Sequence, residues 1–158
     1  MDNEIFERAE QLGGLLKARG KKIATAESCT GGWIAQAITE VPGSSAWFDR
    51  GFVTYSNAAK IQMLGVKQGT LEQYGAVSAE TAMEMAAGAL ENSDADCACA
   101  VTGIAGPDGG TQEKPVGTVF IAWQCKNGGS EVIRKQFAGN RRQIRKQTVK
   151  TALEGVVL

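Results

Sequence analysis

The sequence predicts an α/β fold: a single domain over residues 1–158, arranged as a three-layer α/β/α sandwich around a mixed β-sheet. Three observations point there. Helical and strand patterns alternate through the first part of the chain. "DCACAVTG" (Asp96–Gly103) reads as a buried strand running into a glycine-rich loop. Asn127-Gly128 is a hairpin turn signal between the last two strand patterns, which makes the sheet mixed rather than parallel throughout.

The elements follow in order. Ile5, Phe6, Ala9, Leu12, Leu15 and Leu16 recur at helical spacing, and Gly20 stops that helix. Lys22–Ala26 is a short strand. Trp33–Thr39 is a helix that ends near Pro42-Gly43. Arg50–Tyr55 is a strand and Ser56–Leu64 a short helix. Ala79–Leu90 is a helix with Ser78 as its N-cap, because a serine hydroxyl can accept from a first-turn amide. Strands follow at Gly117–Cys125 and Glu131–Phe137, and a last helix runs from about Asn140 to Glu154.

Composition narrows the chemistry. With 158 residues and 43% apolar side chains, the chain is expected to bury a full core. No apolar run approaches the ~20 residues of a membrane span. The acidic start "MDNEIFERAE" is unlike a secretory signal. A soluble, cytoplasmic protein without membrane partners is expected. Seventeen basic and seventeen acidic residues cancel, which argues against nucleic acid as a partner. The four cysteines lack zinc spacing: Cys97, Cys99 and Cys125 read as structural, with Cys97-Ala98-Cys99 as small apolar residues of a buried run. The chain has no histidine. Ser-His-Asp and Cys-His catalysis are thereby excluded, and any general base is a Lys, Asp, Glu, Tyr or thiolate.

Four stretches can carry chemistry. "TAESCTGGW" (Thr25–Trp33) places Ser28 and Cys29 between a strand and a helix, where unpaired amides bind anions. Plain capping by Ser28 or Thr30 is the simpler alternative. A phosphatase-type cysteine loop needs an arginine six residues after Cys29, and Ala35 stands there. "TYSNAAK" (Thr54–Lys60) offers Tyr55 and Lys60. A lysine removed from water loses its proton near neutral pH and can serve a serine as base. "TGIAGPDGGT" (Thr102–Thr111) follows the buried strand, and five of its residues from Gly103 to Gly110 are Gly or Pro. It suits a ligand loop, with Asp108 able to bond ribose hydroxyls. It is neither a Walker A loop nor a dinucleotide fingerprint. "FAGNRRQIRKQ" (Phe137–Gln147) sets Arg142, Arg145 and Lys146 on one helix face; alone this is a solvated face, and beside two glycine-rich loops it suits phosphate.

Together "AESCTGG", "GFVTYSNAAK", "GAVS", "TGIAGPDGGT" and "EKPVGTV", in this order, resemble the CinA C-terminal domain family, and most closely its stand-alone members. The resemblance runs from about Gln11 to Glu154. It implies a three-layer α/β/α domain, often a homodimer, that hydrolyses the carboxamide of nicotinamide mononucleotide to nicotinate mononucleotide and ammonia, without metal or other cofactor. This activity belongs to pyridine-nucleotide salvage. Some relatives carry a further N-terminal domain similar to molybdopterin-binding proteins, whose activity is not carried over. Ser28 takes the place of the nucleophile. Tyr55 and Lys60 assist proton transfer, either one being the direct base. Thr30, Gly31 and Gly32 sit at the oxyanion. Thr102, Gly103, Gly106 and Asp108 line the substrate site, and Arg142 or Arg145 contacts the phosphate. The alternative is a non-catalytic nucleotide- or phosphate-binding module linked to competence or the response to DNA damage.

Overall fold

The computed structural model describes residues 2–155. Five strands form one sheet: β1 (Ile23–Glu27), β2 (Phe48–Val53), β3 (Cys97–Gly103), β4 (Thr118–Cys125) and β5 (Ser130–Gln136). Their spatial order is β2-β1-β3-β4-β5. β1 is parallel to both β2 and β3, while β3–β4 and β4–β5 are antiparallel, so the sheet is mixed. Among the described residues six α-helices cover it: α1 (Asn3–Ala18), α2 (Trp33–Thr39), α3 (Asn57–Leu64), α4 (Gln68–Tyr74), α5 (Ala79–Glu91) and α6 (Arg141–Glu154). None is long and apolar enough to cross a membrane.

The two faces of the sheet differ in bulk because successive strand residues point to opposite sides. Ile23, Val101, Val119, Ile121 and Trp123 face α1, α2 and α6. Ala24, Ala26, Ala98, Ala100 and Ala122 face α5. The alanine face lets α5 lie close to the sheet, and α5 meets α3 just as closely. A Cβ on Gly88 would stand 1.9 Å from the Leu64 carbonyl oxygen, so only glycine fits there.

The expected elements are present, with three differences. α4 and a 3₁₀ turn at Ser44–Ala46 were not predicted. α4 buries none of its residues, so it has no apolar stripe to read. β2 begins and ends two residues earlier than the pattern suggests. Thr54 and Tyr55 therefore leave the ladder, and their carbonyls are free to meet Lys60. Cys97 is not a free apolar cysteine: the β3–β4 register sets it opposite Cys125, and the two form a disulfide. Cys29 and Cys99 are free and buried.

Candidate active site

The site lies at the C-terminal ends of β1 and β3, where chain reversals leave a crevice. β1 ends at Glu27, and Ser28 is the first residue beyond it. Ser28 is tied back to the sheet by its amide, which donates to the Val101 carbonyl at 3.2 Å. Across β1, the chain leaves β2 through Thr54 and Tyr55 and enters α3, whose N-cap Ser56 accepts from the Ala59 amide. Lys60 thus falls on the first turn of α3 that faces inward, 1% exposed.

The Lys60 Nζ is 2.9 Å from Ser28 Oγ, 3.0 Å from the Thr54 carbonyl oxygen and 3.1 Å from the Tyr55 carbonyl oxygen. No carboxylate pairs with it among the described residues. Burial lowers its pKa from the ordinary lysine value, because a charged ammonium loses its hydration there. Nζ donates to Ser28 Oγ and to both carbonyls, and the Ser28 hydroxyl donates to the Tyr55 carbonyl at 3.5 Å. Loss of one ammonium proton keeps both carbonyl contacts and turns a lone pair toward Ser28 Oγ. Beside it, burial pushes the Cys29 thiol up to about 12, so it stays protonated and a poor nucleophile at neutral pH.

The turn carrying Ser28 is held by charge at both ends. Glu27 is 1% exposed. Its carboxylate accepts from the Thr30 hydroxyl at 2.6 Å, the Ile34 amide at 2.8 Å and the Ala35 amide at 3.0 Å. Glu27 thereby caps α2, whose N-cap position is Gly32 and makes no side-chain cap. Gly31 and Gly32 have φ of 60° and 105°, which glycine adopts without steric cost and which bend the chain from Ser28 into α2. From the other side Arg145 donates through Nε to the Cys29 carbonyl and through Nη2 to the Thr30 carbonyl, each at 3.1 Å.

In front of Ser28 lies a cavity of about 310 Å³. Its walls are Ser28, Cys29 and Tyr55, the Ala76-Val77 segment before α5, the loop from Thr102 to Gly109, and Arg141. The Thr102 hydroxyl donates to the Ala76 carbonyl and joins two of these walls. Arg141 bridges two others, donating to the Gly106 carbonyl at 2.8 Å and to the Tyr55 hydroxyl at 3.2 Å.

The model of the CinA C-terminal domain matches residues 6–157. The chain belongs to the CinA C-terminal domain family. The chain is 54% identical over 153 residues to "Nicotinamide-nucleotide amidohydrolase PncC" of Escherichia coli strain K12, covering 97% of this chain and 93% of that one. It is 53% identical over 151 residues to the protein of the same name from Pseudomonas putida, covering 94% and 92% of the two chains. The solved structure of the competence/damage inducible protein CihA from Agrobacterium tumefaciens superposes with a TM-score of 0.95 at 51% identity, covering 98% of this chain and 94% of that one.

This CinA-family chain places the residues named by resemblance in three groups. Ser28 and Lys60 touch, and Thr102, Gly103, Gly106 and Asp108 line the cavity in front of them. Tyr55 lines the same cavity, but it reaches Lys60 with its carbonyl; its phenol is turned to Arg141. Thr30, Gly31, Gly32, Arg142 and Arg145 do not line it. Thr30 is fully buried on Glu27, and the two glycines shape the turn. Neither Ser28 nor Thr30 caps α2, and the Ile34 and Ala35 amides are no anion site because Glu27 occupies them. The Cys29 and Thr30 amides, in contrast, have no backbone acceptor among the described residues.

Sequence reasoning missed Arg141 and Glu27. Arg141 is the first residue of α6, and its side chain reaches the Gly106 carbonyl and the Tyr55 phenol while Arg142 and Arg145 turn toward Trp33. Asn140 as N-cap marks where α6 begins, so the signal for its first-turn arginine was present. Glu27 stands just past the Lys22–Ala26 strand pattern, where nothing local shows a carboxylate pointing at a later helix.

Proposed function

We propose that the chain hydrolyses the carboxamide of nicotinamide mononucleotide to nicotinate mononucleotide and ammonia, with Ser28 as nucleophile and Lys60 as general base. The observation that carries this reading is the 2.9 Å contact of a buried, carboxylate-free Lys60 with Ser28. The relatives' name, nicotinamide-nucleotide amidohydrolase, supports the substrate.

Neutral Lys60 takes the Ser28 proton as Oγ attacks the carboxamide carbon. The carbonyl oxygen becomes an oxyanion, stabilised by the Cys29 amide, the first N–H after the nucleophile. Lys60 then returns the proton to the departing nitrogen, which leaves as ammonia. Water attacks the resulting acyl-Ser28 ester, Lys60 takes its proton and hands it to Ser28 Oγ as the C–Oγ bond breaks, and nicotinate mononucleotide is released. Arg141 at the rim holds the phosphate, and Asp108 takes ribose hydroxyls. The phenol of Tyr55 positions Arg141 and carries no proton in the reaction. The reaction balances with water alone as co-reactant. The same reading places the chain, over its whole length, in pyridine-nucleotide salvage in the cytoplasm, as a homodimer.

Ammonia release from nicotinamide mononucleotide in the presence of a chelator tests this. Ser28→Ala and Lys60→Ala are each expected to lower kcat by about 10³-fold or more, while Cys29→Ala keeps most of it. Full turnover by Ser28→Ala would remove the nucleophile assignment.

The pH dependence follows from Lys60. Only the neutral amine accepts a proton, so kcat/KM rises with pH as Lys60 deprotonates. Burial lowers that titration, so the rise is expected to level off below the pKa of about 10.4 for a free lysine. A profile still climbing through that value would show that Lys60 is not the base.

A further inference from the structure

A second cleft, of about 590 Å³, opens between α1, α2 and α6 and shares no lining residue with the Ser28 cavity. Phe6 and Trp33 form part of its floor, and Glu40, Arg142, Arg145 and Lys146 stand in its walls. The Arg142 and Arg145 guanidinium carbons lie 5.1 and 5.5 Å from the centre of the Trp33 ring system. Contact with an aromatic ring restrains long cationic side chains, which lowers the entropy lost when they bind an anion.

The charges here are unevenly answered. Asp2 pairs with Lys146 and accepts from the Ile5 amide, and Glu40 accepts from Gln36. Arg142 pairs with no carboxylate among the described residues. Arg145 spends Nε and Nη2 on the Cys29 and Thr30 carbonyls, leaving Nη1 without a partner among the described residues. Two planar guanidinium groups with unused N–H donors suit a phosphate group, which offers three acceptor oxygens and up to two negative charges.

We propose that this cleft is a second ligand site, which takes a small phosphate-class oxyanion between Arg142 and Arg145 and is coupled to Ser28 through Arg145. One guanidinium forms both the wall of the cleft and the brace on the Ser28 turn. An anion on Nη1 holds that guanidinium in its bracing position, so occupancy favours the arrangement in which Ser28 faces Lys60. Binding at the cleft therefore raises turnover, and by linkage an ordered Ser28 turn raises affinity for the anion.

The experiment has a binding arm and a rate arm. Only the rate arm rests on the amidohydrolase reading. Trp47 and Trp123 are buried, 3% and 2% exposed, whereas Trp33 borders the cleft, so tryptophan emission reports its occupancy. Inorganic phosphate and ribose 5-phosphate are titrated separately at constant ionic strength. The expected result is a saturable emission change with one or both probes, lost in Arg142→Ala and kept in Arg141→Ala. A response to phosphate identifies the free ion as sufficient, and a response to the sugar phosphate alone identifies a monoester. No saturable change with either probe, or the same change in Arg142→Ala, overturns the site. In the rate arm, nicotinamide mononucleotide is held below its KM. Saturating anion is expected to raise the initial rate at least twofold in the unmodified protein and not in Arg142→Ala, whose rate without anion is unchanged. Saturated emission with a flat or lowered rate overturns the coupling. Absence of turnover under all conditions counts against the amidohydrolase reading and leaves the binding arm to decide the site.

Discussion

Helices α2 and α6 both begin beside the turn that carries Ser28, and they are capped in opposite ways. α6 caps itself: the Asn140 side chain accepts from the Gln143 amide, and the Gln143 side chain accepts from the Asn140 amide. α2 has no cap of its own, and Glu27 reaches in from the end of β1. The turn that carries Ser28, the proposed nucleophile, lies inside the loop that Glu27 closes, whereas no proposed catalytic residue lies inside the α6 box. A local cap can be removed with little consequence for the site. A long-range cap is part of the site's geometry, and its loss must reach Ser28.

The largest test of this contrast is Glu27→Ala. It leaves the Thr30 hydroxyl and the Ile34 and Ala35 amides without their acceptor, which is expected to cost ~3 kcal/mol of stability. Release of the turn is expected to lower kcat by about 100-fold, since a displacement near 1 Å suffices for that. Glu27→Gln keeps an oxygen for Thr30 and Ile34 but turns an amide toward the Ala35 N–H, so it recovers part of both losses. Chemical denaturation and steady-state kinetics read the two variants. A Glu27→Ala protein that is destabilised yet keeps its kcat would show that the cap and the nucleophile are separable after all.

Arg141 gives an intermediate effect, on the other side of the comparison. It belongs to the self-capped helix, faces the cavity, and under the proposed function holds the substrate phosphate. Arg141→Ala is expected to raise KM about tenfold or more, the loss of a charge-assisted bond worth about 1.5–3 kcal/mol, with a much smaller change in kcat. Arg142→Ala leaves KM unchanged when no other anion is present. Equal effects of the two would place the phosphate between them and not at Arg141.

The same contrast explains what could be read in advance. The sheet, five of the six helices and the caps Ser78 and Asn140 follow from patterns a few residues long, and the structure has them. Ser28 and Lys60 stand out because the absence of histidine leaves few alternatives, and the fold brings them together across β1 and β2. The Glu27 cap, the Tyr55 carbonyl and the Cys97–Cys125 disulfide depend on register and on where a strand ends. A two-residue change in the end of β2 moves Tyr55 from ladder to loop, and with it changes which atom meets Lys60. Arg141 lies off the helical face shared by Arg142, Arg145 and Lys146, and the fold turns that face to the cleft between α1, α2 and α6 while Arg141 lines the Ser28 cavity.

The smallest effect is expected from Asn140→Ala, and it is the control that gives the comparison its meaning. Loss of a side-chain N-cap costs ~1 kcal/mol. The Gln143 half of the box survives, because its side chain still accepts from the main-chain amide at position 140. α6 is held to the body by Ile144, Val149, Ala152 and Leu153, all buried, so its first turn loosens while the helix stays docked. Only Arg141 sits on that turn facing the cavity, so the kinetic trace of the change is a rise in KM below about twofold at constant kcat. Melting curves and initial rates on the same preparation separate the two effects. A fall in kcat as large as that of Glu27→Ala would mean that the α6 start is tied to Ser28 as firmly as the α2 start is. The distinction between a self-capped helix and one capped from the strand would then carry no functional weight.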